Sequence, residues 1–329
     1  MNKYILLAAI AAIICVLTTS LFGTVSLSTC SSHIQGTTIL RESFQGVYQV
    51  YNPSIVKIED KYVGCARLST LTYKNILYCL YGHFFRDSFF IFFELDSKRN
   101  LKLIYPSRNP KALRKAVLED PRIIKYNDQY VVSSTDLEKR FPVITIWDLN
   151  YNFVKLVDYS KSDYYGSLYF PNQMEKNWCP FEHLGRLYVH TDTCPIWRVL
   201  EVELDTGKMR KEVEINSSVL FQDEAALYLR CSTSWKVYDD MHYICGLHTK
   251  SKRRLAPSFY SVLVLIDRTT LLPVQITDVL CFEPKQHHRI QFLSGLEVEP
   301  WHIVLAYGLS DCEVVLRRVP KRKLKFNLI

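Results

Sequence analysis

Short apolar, β-branched and aromatic runs broken by polar turns recur along most of this chain, and one such phrase returns five times. Asn52-Pro53-Ser54-Ile55-Val56-Lys57-Ile58-Glu59-Asp60-Lys61-Tyr62-Val63 is echoed by Asp120-Pro121-Arg122-Ile123-Ile124-Lys125-Tyr126-Asn127-Asp128-Gln129-Tyr130-Val131. Shorter versions run from Cys179-Pro180 to Tyr188-Val189 and from Trp235 to Tyr243-Ile244, and a degenerate fifth from Leu296 through Val298 and Pro300 to Ile303-Val304. A strand-like run, a tight turn on Asp, Gly or Pro, and a second strand led by an aromatic or apolar residue spell a β-hairpin. The anchors at 53, 121, 180, 235 and 296 lie 55 to 68 residues apart, somewhat longer than the roughly 40–50 residues of common propeller blades. Runs such as Phe89–Leu95, Pro142–Leu149, Val199–Leu204 and Phe259–Leu265 supply third or outer strands. The prediction is an all-β, five-bladed β-propeller occupying residues 46–329.

The first residues break this pattern. Met1-Asn2-Lys3 precedes an apolar run from Ile5 to Leu17, extended to Phe22. About 20 residues of helix span a bilayer, so residues 1–23 read as an N-terminal hydrophobic helix. An uncleaved signal anchor is favoured over a cleaved signal peptide, because no clean small-x-small site follows. Residues 24–45 read as a linker. Lys3 is the only charge before Arg41, which places the N-terminus in the cytosol and the domain in a lumen or outside the cell. Cleavage would instead give a secreted domain.

Charge and cysteine change the picture only modestly. The net charge of +8 is concentrated in Lys250–Arg254 and in the tail from Arg317 to Lys325, both read first as solvated surface. An exported domain without a recognition helix is no nucleic-acid binder. Ten cysteines fit an oxidising compartment, no CxxC pair points to zinc, and the neighbours His287-His288 point to opposite faces of a strand. No cofactor or metal is expected. Asn216-Ser217-Ser218 is a glycosylation acceptor sequence suited to a luminal loop.

A propeller brings the start of each inner strand and the end of the next to one mouth. That places Asn52, Asp120 and Lys176-Asn177-Trp178 there from the leading ends, and Arg67, Thr135-Asp136, Asp192, His248 and Asp311 from the trailing ends. Carboxylates, amides and cations around a tryptophan suit a sugar. Hydroxyls take carboxylate and amide partners, an aromatic face stacks on the ring, and glycosidic chemistry needs a positioned carboxylic acid.

Four elements at this mouth carry a resemblance. Glu119-Asp120-Pro121-Arg122, Glu175-Lys176-Asn177-Trp178-Cys179-Pro180-Phe181, Gly246-Leu247-His248-Thr249 and Tyr307-Gly308-Leu309-Ser310-Asp311 resemble the β-mannoside phosphorylases and hydrolases of glycoside hydrolase family 130, and the related mannosyltransferases, across about residues 48–315. The resemblance implies an inverting enzyme with Asp120 as general acid or base. It implies that Asn52, Arg67, Arg122, Asn177, Trp178, Asp192 and Asp311 bind the substrate, and that Arg140, Lys176 and His248 form a phosphate or other anion site. The implied partners are a mannose-containing glycan and inorganic phosphate or a sugar nucleotide, with the membrane reached through the N-terminal segment. Thr191-Asp192-Thr193-Cys194-Pro195 departs from the family pattern, a thiol standing where a carboxylate is usual. Phosphorylase, hydrolase and transferase remain open at this stage, beside a catalytically inactive carbohydrate-binding propeller and a different, two-carboxylate propeller glycosidase.

Overall fold

The structure is a computed structural model that describes residues 32–44, 49–69, 88–106, 117–138, 141–159, 176–193, 195–217, 220, 229–250, 259–283 and 290–329. They form five antiparallel or largely antiparallel sheets in chain order. The first contains Gln49–Ile58, Lys61–Ser69, Ser88–Leu95 and Leu101–Ile104. The second contains Leu118–Tyr126, Gln129–Asp136, Phe141–Trp147 and Phe153–Leu156. The third contains Cys179–His183, Arg186–Asp192, Ile196–Val202 and Met209–Asn216. Each is a four-stranded meander whose first strand is innermost. Tight turns hold the hairpins together. Asn127 and Asp128 both have positive φ, as do Leu184 and Gly185, the backbone pattern of a two-residue hairpin turn whose twist matches the strands.

The last four-stranded sheet is closed by the front of the chain. Gln291–Val298, His302–Leu309 and Glu313–Pro320 form a meander, and Thr37–Ser43 pairs antiparallel with Glu313–Pro320 as its outer strand. Residues 37–43 therefore belong to the ring and correct the linker read over 24–45: a three-stranded terminal sheet leaves an open edge that this segment covers.

The remaining sheet departs from the predicted blade. It has eight strands, built on His242–Lys250 and Phe259–Asp267. Its inner edge is split into Arg230–Cys231 and Lys236–Val237, both paired with His242–Lys250. Ser32–His33 joins it in parallel beside Leu280–Cys281, and Phe326–Leu328 pairs with Pro273–Thr277 at its outer side. Among the described residues, regular four-stranded blades thus number four.

Five apolar clusters, one between each neighbouring pair of sheets, hold the ring. Phe90, Phe92, Ile123 and Trp147 lie between the first and second sheets, and Ile144, Trp178, Leu187 and Leu200 between the second and third. Phe181, Trp197, Trp235 and Leu247 join the third to the eight-stranded sheet. Ile244, Leu263, Leu293 and Leu305 carry the contact onward, and Val304 and Leu316 meet Ile55 and Ile91 to complete the circle. The inner and second strands are buried on both faces and read as nearly continuous apolar runs, whereas outer strands such as Met209–Asn216 are largely exposed.

The predicted N-terminal helix lies outside the described residues, as do Arg140, residues 251–254 of the basic cluster, and His287-His288. No helix among the described residues is long and apolar enough to cross a membrane. The six described cysteines, at 65, 179, 231, 245, 281 and 312, are all buried. The basic tail is partly pinned: Arg317 pairs with Glu283, and Arg318 with Glu299.

Candidate functional site

The mouth of the ring is built by strand irregularities. Pairing of the first two inner strands slips between Tyr51 and Ser54 in the first sheet, and between Glu119 and Arg122 in the second. Each slip releases an Asn-Pro or Asp-Pro pair from the ladder, where proline has no N–H to contribute. Asn52 and Asp120 adopt φ of 51° and 47°. Asn177 and Asp311, at φ of 61° and 53°, repeat the device. Asn and Asp tolerate this left-handed region better than most residues, but a following proline disfavours it for residues 52 and 120. Such backbone costs about 1–3 kcal/mol per residue and concentrates at functional sites.

The slips aim two side chains at one another. Asn52 Nδ2 donates to Asp120 Oδ1 at 2.9 Å, across the boundary between the first and second sheets. Arg67 Nη1 lies 3.5 Å from the same carboxylate oxygen. Arg67 Nη2 donates to Glu119, and Nε donates to Ser88 Oγ at 3.0 Å. Lys176 Nζ donates to the other Glu119 oxygen at 3.1 Å. Asp311 and Tyr51 lie close enough to act electrostatically on Arg67, and the guanidinium sits 5.2 Å from the Tyr51 ring centre. Asn52, Arg67, Asp120, Lys176 and Asp311 are therefore brought together as the sequence predicts.

The charge state of Asp120 follows from these neighbours. Burial acts to raise its pKa, but Arg67, Arg122, the Asn52 amide and Lys176 outweigh burial and hold the carboxyl below its ordinary range. It is a carboxylate at neutral pH. Among the described residues, Asn52 Oδ1, Asn177 Oδ1 and His248 Nδ1 lie buried near the site without a hydrogen-bond partner. Buried polar atoms without partners cost about 1–3 kcal/mol each, so the mouth keeps these polar side chains at a cost to folding.

Three predicted residues take other positions. Trp178 is 1 % exposed and packs between Phe141 and Tyr159, with ring centres 5.2 and 5.6 Å away. It belongs to the core between the second and third sheets, so its faces are covered and cannot stack on a sugar. Arg122 is fully buried. Its Nε donates to the Ser232 carbonyl and Nη1 to the carbonyls of Asp120 and Pro121 at 2.9 and 3.0 Å. That places it beneath the floor of the mouth, bracing the Asp120 backbone. His248 lies beside the site, but burial and then Arg122 lower its pKa to about 3. A neutral imidazole offers no charge to an anion.

Asp192 forms a second cluster, 3.2 Å from Arg198 and 3.2 Å from Arg230. Burial raises its pKa against the pull of both guanidiniums. Arg230 also acts on His248, so it links Asp192 to the rest of the mouth. Glu119, Tyr51 and Arg230 were missed as site residues. Glu119 could have been found from its place beside Asp120. Arg230 opens the irregular edge of the eight-stranded sheet, where the repeat is too degenerate to mark it.

No family model matches this chain, and no curated protein matches it by sequence. Solved structures do match its fold. A structure described under "The GH130 family of mannoside phosphorylases contains glycoside hydrolases that target beta-1,2 mannosidic linkages in Candida mannan" has a TM-score of 0.63 at 16% identity, covering 85% of this chain and 86% of the other. A glycosyl hydrolase from Bacteroides ovatus has a TM-score of 0.62 at 14% identity, covering 86% of each chain. The β-1,2-mannobiose phosphorylase of Listeria innocua, solved with β-1,2-mannobiose, has a TM-score of 0.54 at 10% identity, covering 86% of this chain and 93% of that one. The fold of this chain is thus similar to that of family 130 mannoside phosphorylases and of glycoside hydrolases.

Proposed function

We propose that the chain is a carbohydrate-active enzyme that makes or breaks mannosidic bonds with inversion at the mouth, Asp120 serving as general acid or base. The eight-stranded sheet serves as the fifth blade of its propeller. The observation that carries this reading is the Asn52–Asp120 contact: two strained, bulged residues from neighbouring sheets that join an amide to a carboxylate over a braced floor.

The electrostatics of the mouth favour one role. An ionised Asp120 is ready to accept a proton. In the bond-making direction, an acceptor hydroxyl oxygen attacks the anomeric carbon, the bond to the leaving phosphate or nucleotide diphosphate breaks, and the hydroxyl proton passes to Asp120. Cleavage is the reverse, with the proton returned to the departing oxygen, directly or through a sugar hydroxyl. Asn52, Arg67, Asn177 and Asp311 hold the sugar ring, and His248, neutral, borders it without offering charge to an anion. Lys176, with Arg140 and Arg230, supplies positive charge for an anionic leaving group or attacking phosphate.

Residues 1–23 anchor this domain in a membrane, and the domain lies in the lumen or outside the cell. The alternative, a carbohydrate-binding propeller without activity, draws on the occlusion of Trp178 and on the ion pairs that engage Lys176 and Arg230. The purified protein should be incubated with mannobiose plus phosphate, with mannose 1-phosphate plus mannose, and with GDP-mannose plus mannose, using Asp120→Asn as control. Turnover lost in the variant supports the enzyme. Glycan binding without turnover in either protein establishes the alternative.

A further inference from the structure

All the inner hairpins turn back on the face opposite the mouth, and these turns are chemically lopsided. In the first and second sheets they are Glu59-Asp60 and Asn127-Asp128, polar and acidic. Across the next three sheets of the ring each turn also holds one large apolar side chain out in water: Leu184 is 83 % exposed, Met241, which follows the exposed Asp239 and Asp240, 65 %, and Trp301 80 %. Leu184 also occupies a left-handed position, at φ 49°, where hairpin turns favour Asn, Asp or Gly. Neither packing nor turn chemistry accounts for a leucine there. Three such side chains on successive turns of one face make that face a candidate contact surface.

The front of the chain reaches the ring at this arc. The turn Lys321–Lys323 lies beside Trp301, with the Lys321 N–H donating to the Trp301 carbonyl at 2.9 Å. Lys323 Nζ donates to Gln35 Oε1 at 2.8 Å, so the chain that follows the apolar N-terminal run enters next to the exposed tryptophan. Nine residues, 23 to 31, separate Phe22 from Ser32. Fully extended they span about 30 Å, roughly the length of one nine-residue strand of the ring. A tether that short keeps the side of the domain from which it leaves within reach of the bilayer. Arg322 and Lys323 are exposed on the same arc, suited to phosphate headgroups.

We propose that this face rests on the phospholipid bilayer, with Trp301, Leu184 and Met241 seated at the lipid–water interface and the mouth turned away from it. An exposed Trp301 beside Arg322 and Lys323 matches the chemistry of interfacial contact. The inference rests on the membrane-anchor reading above.

Trp301 is its own reporter. The other four tryptophans, at 147, 178, 197 and 235, are at most 3 % exposed in the core. The full chain should be reconstituted into phosphatidylcholine vesicles with and without bromine on the acyl chains, then floated on a density gradient. The expected result is flotation of the protein and bromolipid quenching that is several-fold stronger in the wild type than in Trp301→Phe, which leaves the fold intact. A chain that does not float overturns both the anchor and this inference. A chain that floats with quenching no stronger than in Trp301→Phe keeps the anchor and overturns the orientation. Protection of Trp301 from both bromolipid and aqueous iodide on floating vesicles also overturns it, and shows a second copy covering the face.

Discussion

Gly308 lies directly behind Asn52: a β-carbon on residue 308 would overlap the Asn52 side-chain oxygen and stand 2.8 Å from its backbone nitrogen. The last sheet thus yields space so that the first can aim an amide at Asp120. Gly308→Ala should cost about 1–3 kcal/mol through overpacking. A displaced amide should also lower kcat/KM by about 100-fold, as expected for a misplacement near 1 Å. Denaturant unfolding and steady-state kinetics on the variant measure the two effects separately.

Asp120→Asn should retain the Asn52 contact in part and abolish proton transfer. Turnover should fall by about 10²–10⁴-fold, while isothermal titration with mannobiose shows binding within a few-fold of wild type. Unchanged turnover would move the proton chemistry to another group.

The buried position of Trp178 gives a stability test. Trp178→Ala should destabilise the protein by about 3–5 kcal/mol, and Trp178→Phe by less. KM for the surviving fraction should stay near the wild-type value in both. A sugar-stacking tryptophan would do the reverse, raising KM with little change in melting temperature.

Acid should weaken the fold before it protonates most carboxylates. His190 and His248 are buried and neutral, each with its pKa lowered to about 3, by burial in the first place. The unfolded chain binds these protons near pH 6.5. Their contribution to stability is therefore full above that pH and is lost as pH falls toward 3, by up to about 1.4 kcal/mol per pH unit for each histidine. Asp120 adds a further loss below about pH 4, because its folded carboxyl holds a proton less readily than the unfolded one. Urea titrations between pH 7 and 4 should show the slope, and His190→Gln should reduce it by about half. A flat profile in the wild type would show that these imidazoles are already charged or solvated.

The inner hairpins were legible because apolar, β-branched runs and turn chemistry are local signals. Asn52, Asp120 and Asp311 could be placed at a common mouth from hairpin geometry alone. Their left-handed backbone could not, since it depends on bulges set by neighbouring strands. Arg122 and Trp178 were misplaced for a related reason: adjacency to Asp120 and Asn177 in sequence says nothing about which way a pleated side chain points. Arg230 was missed where the inner edge of one sheet splits into two short strands, erasing the repeat. The ring-closing role of residues 37–43 depends on a partner strand hundreds of residues away, which no local pattern reports.

That distant pairing governs when the protein can finish folding. Thr37–Ser43 leaves the ribosome among the first structured residues, yet its partner, Glu313–Pro320, is among the last. Throughout synthesis the early strand waits with an unsatisfied edge, and the circle shuts only after nearly the whole polypeptide has emerged. A truncation that removes the final sheet should therefore compromise every blade, because the ring has no stable open form to fall back on.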